Sequence, residues 1–225
     1  MRKKLAWLVV VGIVLTFPVF GCNKGRQADD GKLSIAVIPK STGAEFWETV
    51  EEGAREAAEE LNVDMRWEGP LTETEFAEQN RIIENMISLQ VDGIALAPLN
   101  RVAMKPTVER AADAGIPVVI FDSSVDSDAY VSFVATDNKL GGRLGAEHLI
   151  SLLPEGKKRV MVMRFVQGTG STEARADGFI EKAKEAGLEI VEDPYPADAT
   201  VAGCKKTAVN TLERLVKDNR LELDG

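Results

Sequence analysis

The residues best suited to chemistry in this chain are polar side chains that directly follow short apolar runs. Five of them share that position: Lys40, Asp122, Ser123, Thr136 and Asp137. A carboxylate such as Asp122 can accept hydrogen bonds from two neighbouring hydroxyl groups, and its charge strengthens both bonds. No nucleophile, base and orienting group fall together along the chain, so an exported enzyme is a weak alternative. The pattern favours recognition of a small polyhydroxylated molecule.

Two adjacent aromatic residues, Phe46 and Trp47, follow the first apolar run. Their rings could cover the C–H face of a sugar, exclude water and so make the polar contacts discriminate between epimers. Trp47 also stands at the start of an amphipathic helical pattern, where it could simply pack on a sheet. The sequence leaves both roles open.

From Leu33 onward, short β-branched runs alternate with longer amphipathic runs, which is typical of βαβ units and a parallel sheet covered by helices on both faces. The first series is predicted as strands 33–38, 63–67, 93–97, 117–121 and 130–135, with helices 44–61, 75–89 and 102–114. Gly115 is expected just past a helix end. This α/β series predicts a first lobe over residues 33–136.

A second α/β series predicts a second lobe over residues 137–225. Its predicted elements are a helix capped by Thr136 or Asp137 and running to Leu152, strands 158–164 and 188–191, and helices 173–186 and 201–216. His148 is expected to pack in line with Leu140, Leu144 and Leu152, and Gly141-Gly142 is expected to allow close helix packing. Ligands of parallel sheets bind beyond the carboxyl ends of the strands, which indicates a cleft between two lobes.

Composition excludes several classes of function. Beyond residue 21 the chain holds 24 basic and 36 acidic residues, a formal net charge of −12, which argues against a nucleic-acid partner. No metal site or catalytic triad can be built around His148, the single histidine. The stretch Gly168-Thr-Gly-Ser-Thr lacks the ending of a phosphate-binding loop, so it is interpreted as a cleft loop, and no cofactor is expected.

The N-terminus predicts export. Three cations at positions 2–4 precede an apolar run over 5–17, and Val19-Phe-Gly-Cys22 resembles the lipobox of bacterial lipoproteins. Residues 1–21 are therefore predicted to be a signal peptide, Cys22 the site of lipid attachment to a membrane, and the polar segment 22–32 a flexible tether. An uncleaved anchor is the alternative, although the apolar run is shorter than the roughly 20 residues that a span needs.

Five motifs in collinear order resemble the ribose-type periplasmic binding proteins of sugar ABC transporters over residues 33–225. They are IAVIPK at 35–40 with EFW at 45–47, GIALAP at 93–98, GIPVVIFD at 115–122, ATDN at 135–138 with Gly141-Gly142, and STEARADGF at 171–179. The resemblance implies a monomeric two-lobed protein that bends at a hinge, closes over a sugar and delivers it to a membrane permease without catalysis.

The resemblance also assigns residues. It implies that Phe46 and Trp47 sandwich the sugar, that Asp122 binds ring hydroxyls and that Thr136 donates near the hinge. Asp137 is expected mainly to cap the following helix. The same two-lobed fold also serves as a sensory module in chemotaxis and two-component systems, which is the chief alternative. Sugar-responsive repressors are excluded by the signal and by the missing helix-turn-helix.

Several positions depart from the ribose binders. Ala44 and Ala97 replace asparagines, Ser123 and Glu173 replace arginines, and Lys40 replaces a small hydroxyl residue. Ribose itself is therefore not expected as the ligand. Lys40 could contact an acidic or differently substituted sugar, and Lys40 and Glu173 could pair across the cleft or merely face water. Relatives continue further at the C-terminus, so the sequence is expected to be a fragment or a truncated product with an incomplete second lobe.

Overall fold

The computed structural model describes residues 31–225, so the predicted signal peptide, Cys22 and most of the tether lie outside the described residues. Five strands form one parallel sheet in the order β2-β1-β3-β4-β5. They are β1 (Ser34–Ile38), β2 (Asp64–Trp67), β3 (Gly93–Leu96), β4 (Val118–Phe121) and β5 (Ser132–Val134). The predicted α/β class with a parallel sheet is confirmed.

Helices pack on both faces of this sheet. They are α1 (Glu45–Leu61), α2 (Phe76–Leu89) and α3 (Lys105–Asp113). Side chains alternate along a strand, so Ile38, Leu96 and Ile120 point to one face and are fully buried there against α2 and α3. Gly115 ends the turn after α3 with φ 79°, a conformation that favours glycine, as the sequence predicts.

The opposite face carries α1 and is covered less completely. Ile35, Val37 and Val119 point to this side and line an apolar groove of about 730 Å³ beside α1. Leu33 and Val134 also line the groove, and both remain exposed. The two faces of the sheet therefore differ in how much apolar area they remove from water.

The second α/β series is smaller. It contains α4 (Asn138–Leu152), β6 (Arg159–Met161), α5 (Gly170–Glu185), β7 (Glu189–Glu192) and α6 (Val201–Arg214). Strands β6 and β7 pair in parallel, and residues 224–225 bond to Arg159 and Met161 of β6, where the Met161 amide donates to the Gly225 carbonyl at 2.9 Å. The boundary between two lobes at residue 136 stays a prediction.

The predicted helix over 201–216 is wrong at its end. Helix α6 ends at Arg214, and a short antiparallel hairpin follows, formed by β8 (Val216–Lys217) and β9 (Arg220–Leu221). The two turn residues, Asp218 and Asn219, both have positive φ. Aspartate and asparagine tolerate that conformation in two-residue hairpin turns, which is the local signal that the helical periodicity obscured.

Helices α4 and α5 cross at unusually short range. A Cβ atom added at Gly142 would lie 2.0 Å from the Arg175 carbonyl oxygen, and one added at Gly178 would lie 2.1 Å from that of Lys139. A Cβ atom at Gly141 would meet nothing within 4 Å. Close packing is therefore confirmed for Gly142 and not for Gly141.

The expected packing of His148 is wrong. His148 is exposed, as are Leu144 and Leu140, one and two turns before it on α4. The glycine contact turns the opposite side of α4 towards α5, so this row of side chains has no cover within residues 31–225. No helix in this range is long and apolar enough to cross a membrane.

Candidate functional site

Four side chains form a polar cluster beyond the carboxyl ends of β1 and β4: Lys40, Asp122, Ser123 and Ser171. Lys40 comes two residues after β1, and Asp122 and Ser123 directly follow β4. Only 3% of the Lys40 side chain is exposed, and its Nζ atom lies 2.5 Å from Asp122 Oδ2. Lys40 Nζ also donates to Ser123 Oγ at 2.5 Å. The sequence predicts three members of this polar cluster and misses their pairing with each other.

Ser171, the second residue of α5, is the fourth member and was not predicted as a site residue. Its Oγ atom lies 2.8 Å from Ser123 Oγ and accepts from Lys40 Nζ at 3.2 Å. Its backbone amide donates to Ser123 Oγ at 3.1 Å. Ser171 opens the STEARADGF motif, but nothing in that motif shows that its hydroxyl reaches a residue 131 positions earlier in the chain.

Asp122 is held in an unusual backbone conformation. Its φ is 61°, a left-handed value that aspartate adopts more readily than most residues, and its amide donates to the Val134 carbonyl at 3.0 Å. Both Lys40 and the Ser123 hydroxyl bond to Oδ2. Within residues 31–225, no hydrogen bond or ion pair reaches Oδ1, and the side chain is 22% exposed. Among the described residues, Asp122 therefore keeps one carboxylate oxygen that can accept further hydrogen bonds.

The two adjacent aromatic residues, Phe46 and Trp47, differ in exposure: Trp47 is buried by packing, and Phe46 is open to solvent. Trp47 is 2% exposed, donates from Nε1 to Glu73 Oε1 at 2.9 Å and meets the ring of Phe121 edge-on at 6.3 Å. Phe46 is 60% exposed and stands nearly perpendicular to Trp47, with ring centroids 4.9 Å apart. Trp47 packs against the residue before Asp122, while the Phe46 ring is open to solvent.

Thr136 and Asp137 lie where the chain leaves β5 for α4. Asp137 caps α4, because its Oδ1 atom accepts from the Leu140 amide at 2.9 Å, and the predicted capping role is confirmed. Both residues line a cavity of about 400 Å³ whose wall also includes Ser171. This volume falls in the range of roughly 300–1,000 Å³ that is usual for small-molecule sites. Ser171 thus contributes to both the cavity and the polar cluster.

Glu173 does not pair with Lys40, so that part of the sequence-based interpretation is wrong. Its carboxylate accepts from Arg164 Nη1 at 2.6 Å, from the Gly168 amide at 3.0 Å and from the Tyr195 hydroxyl at 2.8 Å. Gly168 and Arg164 are close to Glu173, since they precede it by only five and nine residues in the chain. Lys40 is already neutralised by Asp122.

The Arg164 group, defined as Arg164, Glu173, Asp193 and Tyr195, joins the ends of β6 and β7 to the start of α5. Arg164 Nε lies 2.6 Å from Asp193 Oδ1, and the guanidinium sits 5.4 Å from the centre of the Tyr195 ring. Burial alone would raise the pKa of Glu173, but the bonds from Gly168 and Tyr195 and the charge of Arg164 together hold that pKa below its ordinary value. Hydrogen bonding to Asp193 raises the pKa of Arg164.

A larger cavity of about 800 Å³ lies elsewhere between the loops and contains none of the eight predicted ligand residues. Its lining includes Asn100, Arg101, Gln167 and Tyr195. The charged and phenolic groups there already have partners, because Arg101 pairs with Asp126 and Tyr195 donates to Glu173. Asp122 has an oxygen without a partner in the described part of the chain, so the polar cluster is better suited than this cavity to binding hydroxyl groups.

A parallel sheet with polar side chains gathered beyond its carboxyl ends is the arrangement of a small-molecule binding protein of the α/β class. Residues 35–225 match the model of the periplasmic binding protein domain, and the chain belongs to that family. The family is one of binding proteins, which agrees with the expectation that the chain is not an enzyme.

The chain is similar to characterised sugar-binding relatives. It is 35% identical over 168 residues to the D-ribose/D-allose-binding protein of Pseudomonas aeruginosa, covering 71% of this chain and 52% of the relative. It is 30% identical over 223 residues to the D-allose-binding periplasmic protein of Escherichia coli, covering 95% and 68%. A solved ABC transporter solute-binding protein of Agrobacterium vitis with bound D-fucose is 35% identical with a TM-score of 0.75, covering 80% of this chain and 63% of that one. The chain therefore spans about half to two thirds of these relatives' length.

Proposed function

We propose that this chain is part of the solute-binding lipoprotein of a sugar ABC transporter. The single observation that carries the proposal is Asp122, which is fixed beyond β4 by Lys40 and Ser123 at Oδ2 and leaves Oδ1 for a ligand. Two relatives are named for binding D-ribose or D-allose, and the Agrobacterium vitis structure holds bound D-fucose, which supports a monosaccharide as the ligand.

In this proposal, Asp122 accepts from two neighbouring ring hydroxyls and Phe46 covers the apolar face of the sugar, with Trp47 supporting it from below. Thr136 supplies a hydroxyl from the cavity beside the polar cluster. The predicted contacts of Ser123, Asp137, Lys40 and Glu173 are indirect, because each already holds another group.

The sugar is proposed to be neutral. Lys40 is compensated by Asp122 at 2.5 Å, so the polar cluster offers no uncompensated cation to a ligand carboxylate. A ligand carboxylate beside Asp122 would also be repelled by the like charge. The partners would be a membrane permease and its ATPase, which supplies the transport energy.

Thermal unfolding of the full-length native protein against a panel of neutral aldoses tests this function. A ligand that binds only the folded state raises the unfolding temperature. We expect stabilisation by at least one hexose or pentose, and its loss in Asp122→Asn. The matched control is Asp126→Asn, which alters a carboxylate at the wall of the larger cavity. Stabilisation that survives Asp122→Asn and disappears in Asp126→Asn would place the ligand in the larger cavity and contradict the proposal.

Lipid attachment at Cys22 is proposed from the sequence motif and from the family's periplasmic setting. The intact mass of the native protein extracted from membranes tests it. A mass that exceeds the polypeptide from residue 22 by a diacylglycerol and a further acyl group is expected for a bacterial lipoprotein. An unmodified mass that still includes residues 1–21 would favour the uncleaved anchor.

A further inference from the structure

The Lys40 ammonium group has all of its donors occupied. Its three acceptors are Asp122 Oδ2, Ser123 Oγ and Ser171 Oγ, at 2.5, 2.5 and 3.2 Å. An ammonium group has three N–H donors and no acceptor, so none is left for a ligand. With 3% of its side chain exposed, Lys40 also presents almost no surface to a ligand. Its role in binding must therefore pass through the groups that it holds.

The contact with Ser171 joins two distant segments of the chain. Lys40 and Ser123 lie beyond the carboxyl ends of β1 and β4, while Ser171 is in the first turn of α5. The start of α5 packs closely against the loop after β4, since a Cβ atom added at neighbouring Gly170 would lie 2.6–3.0 Å from Ser124 atoms. Two further bonds accompany it: the Arg101 amide donates to the Gly168 carbonyl at 3.0 Å, and Thr169 Oγ1 donates to the Leu99 carbonyl at 3.1 Å.

We propose that Lys40 and Ser171 are positioning residues for ligand binding. Lys40 fixes Asp122 through Oδ2 so that Oδ1 faces the ligand, and Ser171 ties that arrangement to the start of α5. The orientation of the Asp122 carboxylate and the contact of α5 with the polar cluster are then coupled through the buried Lys40 ammonium group. This inference rests on the proposed function for its effect on sugar affinity, but the coupling itself exists without sugar.

The test uses Lys40→Met, Ser171→Ala and the double variant in the full-length native protein, with Lys105→Met as the matched control. Lys105 is an exposed lysine that pairs with Glu109 at 3.7 Å. Two measurements are made: hydrogen exchange of the Ser171 and Thr172 amides without sugar, and dissociation constants for two sugars that differ at one hydroxyl. Ser171→Ala is the milder variant, since it keeps the Lys40–Asp122 ion pair.

We expect exchange at the start of α5 to rise at least tenfold in Lys40→Met and Ser171→Ala and to stay unchanged in Lys105→Met. Lys40→Met is expected to raise the dissociation constants of both sugars by a similar factor of ten or more. The double variant is expected to bind no more weakly than Lys40→Met alone, since the two residues act as one unit.

A changed preference between the two sugars in Lys40→Met, with exchange unaltered, would show direct contact with the ligand and overturn the inference. The inference would also be overturned if the loss of affinity in the double variant equalled the product of the losses in the two single variants. If the wild-type protein binds no sugar, the proposed function fails on its own, and the exchange measurement still decides the coupling.

Discussion

The two α/β segments of the chain are held together in different ways. Residues 33–136 bury large side chains such as Ile38, Leu96 and Ile120 between the sheet and two helices. The second segment buries mostly small residues where α4 crosses α5, and it fixes its loops through the Arg164 group. The first segment therefore relies on hydrophobic burial, and the second relies more on close backbone contact and charge-assisted hydrogen bonds.

The two carboxylates of the predicted site show the same contrast. Asp122, on the first segment, keeps one oxygen free of partners from residues 31–225, whereas both oxygens of Glu173 on the second segment are taken by Arg164, Gly168 and Tyr195. A polar residue near a predicted cleft is thus not sufficient evidence for ligand contact. What distinguishes a binding group is an unused acceptor, and only the three-dimensional arrangement reveals it.

The largest expected effect comes from the core of the first segment. Leu96→Ala deletes methyl groups from a fully buried position and should lower the free energy of unfolding by about 2–5 kcal/mol. Urea denaturation measures the change. Val201→Ala, at an exposed position on α6, is the control and should stay within about 0.5 kcal/mol. Equal changes in unfolding free energy at both positions would contradict the conclusion that the first segment relies on hydrophobic burial.

Asp122→Asn should lower the free energy of unfolding by about 2 kcal/mol, besides its effect on ligand binding. The variant removes the charge that compensates buried Lys40, although the amide oxygen can still accept a bond and the side chain is 22% exposed. Urea denaturation of the ligand-free protein checks this value. Restoration of stability in the Asp122→Asn/Lys40→Met double variant is the matched control, and a double variant no more stable than the single one would contradict the pairing.

Gly142→Ala should destabilise the protein by about 1–3 kcal/mol, because its Cβ atom would meet the Arg175 carbonyl at the crossing of α4 and α5. Gly141→Ala, one residue earlier on the same helix, meets nothing and should stabilise by up to about 1 kcal/mol. Thermal unfolding of the pair separates helix propensity from packing. Equal shifts in the two variants would rule out the close crossing.

Glu173→Gln should have the smallest effect, about 1 kcal/mol at neutral pH, because glutamine retains part of the hydrogen bonding. The pKa of Glu173 is lowered in the folded protein, so its contribution is present above its ordinary value of 4.5 and is lost as the pH falls below 4.5 towards the folded-state pKa. Unfolding free energies between pH 3 and pH 7 should therefore depend less on pH in Glu173→Gln. If the pH dependence of the unfolding free energy were unchanged in Glu173→Gln, ionised Glu173 would not contribute to the Arg164 group.

Much of the fold could be predicted from the sequence, because apolar periodicity and turn residues are local signals. Strand β3 and the cap of α4 by Asp137 lie where these signals indicate. The hairpin at Asp218 and Asn219 was missed because the preceding helical pattern runs directly into it. Exposure of His148 could not be predicted, since it depends on which side of α4 the glycine contact selects.

The candidate site was predicted less completely than the fold. Residue types located Asp122 and Lys40 beyond their strands, but not the ion pair between them, because β1 and β4 become neighbours of β3 only in the folded sheet. Ser171 was missed because its partners, Ser123 and Lys40, lie 48 and 131 positions earlier in the chain. A lysine that could equally contact a ligand, a carboxylate or water carries no local signal that selects one of these partners.

The most direct test of the central claim is a crystal structure of the full-length native protein with a sugar that stabilises it. We predict that two sugar hydroxyls lie within hydrogen-bonding distance of Asp122 Oδ1, with the ring against Phe46 and Lys40 still bonded to Oδ2. Sugar density in the cavity lined by Arg101 and Tyr195, with Asp122 unengaged, would contradict the account.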